Sequence, residues 1–259
     1  MFAFGCSYTN NKWLSLADLI GVNFEKYYNL GKPGCCNMFI SNSVLLADEI
    51  YKFCETDYVL VGITGIRRFS FFNGKDHVFH GDIFPRPKNL NFPEAAYTEY
   101  WANHYENFAW AMKRTLASIK LIKFILSTKK VKFKIYKSIY DPILEENVRC
   151  LPNDQAFLYK EINQRLDIRM SIDELAIQND KPFRYEFVDG DDGHPTIYQH
   201  YYYLKKYFPE FDTVNTHRIY RDYESIIDLA STFHAARQYN LWKKQHCQLI
   251  HDFENSPCL

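Results

Sequence analysis

This chain lacks several things, and each absence removes a class of protein. It has no charge imbalance: 31 Lys and Arg are matched by 31 Asp and Glu, so no global field draws it to nucleic acid or to an anionic membrane. No apolar run approaches the ~20 residues of a membrane span, and no charged segment precedes an apolar one at the start. Neither a membrane partner nor a secretion signal is therefore expected. The seven cysteines are odd in number and follow no metal spacing, and the adjacent Cys35 and Cys36 are poorly placed to pair with each other. A reduced, cytoplasmic setting is the expectation. Internal repeats, low-complexity tracts and clear linkers are also missing.

What is present suits a globular α/β protein. With 47% hydrophobic and 24% charged residues over 259 positions, the chain can bury a large core and gives no case for disorder. The aromatic share of 17% is high enough that some rings must line surfaces or grooves as well as the core. Five segments read as strands: Phe2–Gly5, Phe24–Leu30, Asp57–Ile63, Val131–Ile139 and Arg184–Val188. In the fourth, Val131, Phe133 and Ile135 alternate with Lys132, Lys134 and Tyr136, which predicts a poorly covered face and a place near the sheet edge. Helices are expected over Trp13–Ile20, over Asn42–Cys54 with Val44, Leu45, Ile50 and Phe53 at helical spacing, and over Tyr100–Ser127. Strands alternating with helices imply a parallel sheet wrapped by helices. Residues 73–99 read as an irregular, proline-rich insertion containing Pro85, Pro87 and Pro93. The expected division is an α/β domain over 1–208 and a helical extension over 209–259.

Ligands of open parallel sheets bind beyond the carboxyl ends of the strands. There this sequence places Gly5-Cys6-Ser7-Tyr8-Thr9, then Gly31-Lys-Pro-Gly34-Cys-Cys-Asn37, then Thr64-Gly65-Ile-Arg67-Arg68-Phe69, and finally Asp189-Gly-Asp191-Asp192-Gly-His194-Pro195. A hydroxyl, two glycine-rich turns and an acid–histidine pair on one rim are what nucleophilic acyl transfer needs.

Together these blocks resemble the SGNH (GDSL-type) hydrolase superfamily. The closest pattern is that of divergent members, often met in bacteriophage and bacterial genomes, whose first block reads Phe-Gly-Cys-Ser-Phe-Thr. The match runs roughly from the N-terminus to Tyr203; its first and last blocks are specific and its middle two are weak. The resemblance implies a three-layer α/β/α sandwich with a five-stranded parallel, flavodoxin-like sheet. It makes Ser7 the nucleophile, His194 the base and Asp191 the group that orients it. The Ser7 N–H, Gly34 and nearby Asn37 would serve the oxyanion, with Thr64 and Arg68 as further substrate-binding candidates. The family's aspartate in the first block is replaced by Cys6, and Thr64 stands in the region that normally holds an asparagine oxyanion donor. The implied reaction is hydrolysis of a small acyl ester, an O-acetyl group on a glycan being one form, without a cofactor.

Rival readings attach to the same residues. Ser7 alone could be a turn or helix-cap serine, His194 a capping or core histidine, and Asp189 and Asp192 compete with Asp191. Pro195-Thr196 reads as a helix start. His77, His80 and Asp82 invite a metal, but at no recognised zinc spacing. Nine lysines and arginines without an acid between Asn107 and Tyr140 form either an anion-binding face or, as favoured here, a solvated helix and edge strand. Tyr201-Tyr202-Tyr203 could stack on carbohydrate but more often such a stripe packs a helix. Two other functions stay open: an inactive binding or structural module on this fold, such as a virion or assembly component docking through its C-terminal helices or forming a homo-oligomer, and a phosphate-ester enzyme clamped by Arg68.

Overall fold

Strand-forming segments far apart in the chain line up side by side, all pointing the same way. The computed structural model describes residues 1–10, 14–72, 77–82, 108–139, 151–177 and 194–229. In chain order the elements are β1 (Phe2–Phe4), α1 (Leu16–Gly21), β2 (Tyr28–Asn29), α2 (Asn37–Tyr51), β3 (Tyr58–Ile63), β4 (Arg68–Phe72), β5 (His77–Asp82), α3 (Phe108–Thr128), β6 (Lys132–Lys137), α4 (Asn153–Gln164), α5 (Ile172–Ile177), α6 (Ile197–Tyr207) and α7 (Val214–Leu229). The protein is an α/β fold; among the described residues its main sheet is four-stranded and all-parallel, of order β2-β1-β3-β6. The expected fifth strand, Arg184–Val188, lies outside the described residues, as do Asp191 and the chain beyond 229.

Register decides which side chains share a face. Phe2 pairs with Val59 and Val59 with Phe133; Phe4, Val61 and Ile135 form the next row on the same face. On that face Phe2 meets Tyr51 and Phe53 at the end of α2, with ring centroids 5.3 and 4.8 Å apart. The opposite face carries Gly62 and Tyr136, and Tyr136 packs on Tyr203 of α6 and on Phe208. Helices α2, α3 and α4 pack in one group and α1, α5, α6 and α7 in another, so both faces are covered.

Several elements differ from expectation for identifiable reasons. β6 does lie at the edge of the four strands, but its supposedly open face is closed: Tyr136 is fully buried and Lys134 lays its cation over the Phe208 ring at 4.7 Å. A lysine stem can cover apolar surface while its head reaches out, here to Glu210 at 2.8 Å. Helix α2 starts at Asn37 rather than Asn42; Ser41 and Ser43 lie inside it and return their hydroxyls to the carbonyls of Met38 and Phe39, both at 2.9 Å, so their polar groups are satisfied without breaking the helix. Its buried residues are Asn37, Ile40, Ser41, Ser43, Val44, Ala47 and Asp48; Leu45 and Ile50 are exposed. β2 is only two residues long.

Within the expected insertion, His77–Asp82 form a strand. β5 pairs antiparallel with β4, with a bulge between Phe69 and Ser70. The signal was available in the aromatic and β-branched residues of the two segments, Phe69, Phe71 and Phe72 in one and Val78 and Phe79 in the other. Pro85, Pro87 and Pro93 lie outside the described residues. Beyond α6, a short 3-10 turn (Pro209–Phe211) leads to α7, which is tied to α1 where Asn23 Nδ2 donates to Thr216 Oγ1 at 3.0 Å. Among the described residues no helix is long and apolar enough to cross a membrane.

Gly62 shows how tightly the centre is built. A Cβ there would stand 2.8 Å from the Tyr136 hydroxyl and 3.1 Å from Thr9 Oγ1. Gly62→Ala is therefore expected to lower the unfolding free energy by about 1–3 kcal/mol in urea titration, as overpacking does. Stability equal to the parent protein would show that Tyr136 is not held against this strand.

Candidate functional site

The rim is built from the loop after β1. β1 ends at Phe4, and at Gly5 the backbone passes so close to Thr9 that an added Cβ would overlap its Oγ1; the φ of +157° further disfavours any side chain. The chain then turns through Ser7 and Tyr8, closing with Thr9 N–H and Asn10 N–H on the Cys6 carbonyl at 2.9 and 3.1 Å. Thr9 Oγ1 meets the Tyr136 hydroxyl at 3.3 Å, which seats this corner on the end of β6. Cys6 points inward, fully buried, with its sulfur 3.8 Å from Ser138 Oγ.

A buried carboxylate holds the loop from the other side. Asp18, in the first turn of α1, accepts the Ser15 N–H at 2.9 Å, the Tyr27 hydroxyl at 3.1 Å and the Asn29 amide at 3.2 Å, with Ser15 Oγ 2.9 Å away. Ser15 Oγ and Asn29 Nδ2 also reach the Thr9 carbonyl, at 2.6 and 2.8 Å. The Ser15-x-x-Asp18 spacing is a capping-box signal that sequence reading passed over.

His194 arrives from the far end of the chain. Its ring lies 5.5 Å, centroid to centroid, from that of Tyr8, the residue after Ser7. Thr196 caps α6, as the Pro195-Thr196 pair suggested, with its N–H on Gln199 Oε1 at 2.6 Å. One turn on, buried His200 accepts the Leu16 N–H at 3.2 Å on Nδ1, which fastens α6 to the start of α1. Burial pulls the His200 pKa down to about 3; nearby His194 acts in the same direction and Asp18 opposes it. Tyr8 donates its hydroxyl to Asp173 Oδ2 of α5 at 3.1 Å, a buried contact across 165 positions that no local pattern announces. Burial, then Asp173, pushes the Tyr8 phenol well up, so it stays a proton donor.

The remaining candidates divide. Gly34 adopts a φ of 77°, and neither its N–H nor that of Ser7 donates to a carbonyl among the described residues. The Lys32 N–H donates to the Gly5 carbonyl at 2.8 Å, which brings the Gly34 turn beside the Ser7 corner. Asn37 is engaged elsewhere: its amide donates to Thr64 O at 3.0 Å and Thr115 Oγ1 at 3.2 Å, and its oxygen accepts the Thr64 N–H at 2.9 Å. With both amide hydrogens used, Asn37 clamps α2 to the end of β3 and has none left for an oxyanion. Thr64 Oγ1 is buried and makes no hydrogen bond among the described residues. Arg68 is half-buried after β3, close enough that its charge opposes the upward shifts of Tyr8 and Cys35. Burial drives the Cys35 thiol well up, making it an inert neighbour. Asp191, Asp189 and Asp192 lie outside the described residues. Ser7 itself is 7% exposed.

The rival features resolve differently. His77, His80 and Asp82 fall on β5, and among the described residues no cluster of three or more His, Cys, Asp or Glu could hold a metal. Within the lysine-rich stretch, Lys123, Lys129, Lys134 and Lys137 pair with Asp167, Asp48, Glu210 and Glu174. Tyr203 is fully buried and Tyr201 stacks on Tyr220 of α7 at 4.2 Å, so these rings join helices, while Tyr202 is exposed. No family model matches the chain, and no curated protein matches it either.

His200 gives this site a pH signature. The folded protein holds it neutral to about pH 3, whereas the unfolded chain takes up a proton near 6.5. The unfolded state thus binds more protons between those values, so stability is complete above pH 6.5 and falls as pH drops, by up to about 1.4 kcal/mol per unit. His200→Asn, which keeps an acceptor near the Leu16 N–H, is expected to flatten this part of the curve in urea titrations from pH 7 to 5. An unchanged slope would assign the acid sensitivity to other groups.

Proposed function

We propose that the protein is a serine ester hydrolase of the SGNH (GDSL) type. The observation that carries this reading is the approach of His194 to Tyr8, which joins the two blocks of the resemblance at one rim. Ser7 Oγ attacks the ester carbonyl while His194 takes its proton; Asp191 holds the imidazole and stabilises its charged form. The N–H groups of Ser7 and Gly34 receive the oxyanion. His194 returns the proton to the departing alkoxide, and water then releases the acyl group from Ser7. Arg68 lends positive charge to the same end of the sheet. The substrate class is a small acyl ester, with an acetylated glycan as one form.

The finer fold belongs to this proposal. The order β2-β1-β3-β6 matches the first four places of a flavodoxin-like sheet. The expected fifth strand, Arg184–Val188, would take the next place, on the outer side of β6, part of whose edge Ile168 already bridges at Tyr136.

One set of observations favours a second reading, a binding or structural module with little or no activity. Ser7 is largely buried, the usual asparagine donor is replaced by Thr64, and Asn37 cannot substitute for it. A single lost oxyanion donor costs about 10²–10³ in turnover.

The same experiment decides between them. The purified protein is expected to hydrolyse a short-chain aryl ester and to be labelled by a fluorophosphonate. Ser7→Ala and His194→Ala should each lower kcat/KM by at least about a thousandfold with unchanged circular dichroism. Turnover that survives Ser7→Ala removes the serine from the mechanism, and a folded parent protein that neither turns over nor labels supports the module.

A further inference from the structure

Exposed apolar side chains gather on one helical layer. Of the nine large ones exposed among the described residues, all but Tyr202 and Val214 lie on α2, α3 and α4. Phe124 of α3 is 70% exposed and Trp110, near the start of the same helix, 46%. Single exposed apolar residues are ordinary, but their accumulation on one layer marks a surface that meets a partner.

Helix α3 gives the accumulation a pattern. Trp110, Arg114, Ala117, Leu121 and Phe124 follow one another at alternating spacings of four and three residues, the a/d seam of a coiled coil. All but the half-buried Arg114 are exposed. Arg114 lays its guanidinium 4.4 Å from the centre of the Trp110 ring and donates to the Arg68 carbonyl at 3.1 Å, which makes the tryptophan a pre-positioned anchor. One edge of the seam is closed, because Ala111, Ser118 and Ile125 are buried. The other edge carries Lys113 and Lys120, both exposed, one heptad apart and without an acidic partner among the described residues. α3 itself contains no Asp or Glu. On α2, packed beside it, Met38 and Leu45 are exposed, also one heptad apart.

We propose that this face docks an amphipathic helix of another protein, with its apolar stripe on the α3 seam and its acidic edge on Lys113 and Lys120. The lysines select the occupant. Antiparallel pairing with a second copy would set Lys113 and Lys120 against the same lysines of that copy, and parallel pairing would set them against buried Ala111 and Ser118. A helix that binds a bilayer presents a broad apolar face, whereas this stripe is a narrow seam. An acidic helix satisfies both the spacing and the charge. The proposal does not rest on the reading of Ser7.

The test titrates the full chain against two fluorescent three-heptad peptides with leucine at a and d. One carries glutamate at e and g, where like charges keep it from pairing with itself; the other carries lysine there. The glutamate peptide is expected to bind at least about tenfold more tightly than the lysine peptide. Its binding should weaken as salt rises and be the same for Ser7→Ala. Combining Trp110→Ala with Phe124→Ala should weaken it at least about tenfold. Both side chains are exposed, so circular dichroism should not change. Lys113→Glu with Lys120→Glu should reverse the preference between the peptides. No binding, equal binding of the two peptides, or binding indifferent to the Trp110→Ala and Phe124→Ala pair overturns the proposal. So does self-association that this pair abolishes, which gives the face to a second copy. Co-sedimentation with phosphatidylglycerol vesicles in place of peptide binding, lost in the same variant, gives it to a membrane and overturns the proposal as well.

Discussion

The structure turns on the carboxylate of Asp18. A charge taken out of water is tolerable only when donors replace its hydration, and Asp18 meets them from Ser15, Tyr27 and Asn29. Those donors belong to three different segments: the start of α1, the approach to β2 and β2 itself. Ser15 and Asn29 reach onward to the Thr9 carbonyl, so satisfying the charge also fixes the loop that carries Ser7. Its place in the first turn of α1 adds a favourable interaction with the helix dipole. The corner is held by the cost of leaving this group unpaired, more than by contacts of its own.

The second constraint is steric. Gly5 and Gly62 let Thr9 and the Tyr136 phenol approach the backbone more closely than any side chain would permit. Tyr136 is buried under Tyr203 and Phe208, which belong to α6 and the turn after it, the same helix that His194 precedes. Packing on that face of the sheet therefore links the two ends of the chain that carry the candidate chemistry. His200 adds a directional contact by taking the Leu16 N–H, and the burial this requires keeps it neutral. Tyr8 and Asp173 brace the loop against α5.

Local pattern was legible where local physics governs. The short apolar run of β3, the helical length of α3 and the cap at Thr196 stand close to where residue chemistry put them. Errors arose where a distant neighbour changed what a residue meant. Leu45 and Ile50 looked like a core stripe, yet α3 packs on a different face of α2 that includes Asn37, Ser41 and Asp48. Lys134 looked solvent-facing, and instead spreads over Phe208 to reach Glu210. Asn37 looked like a rim residue, but its amide is committed to Thr64 and Thr115.

The sequence by itself determined the alternation of strands and helices, the glycine break after β1 and the chemical types gathered at strand ends, because these follow from side-chain shape and periodicity over a few residues. Only the tertiary structure decided which of those groups keep free valences. Whether an amide, a hydroxyl or an imidazole is committed or available depends on partners up to 197 positions away. Such partners are chosen by the packing of whole layers, which no short stretch of sequence encodes.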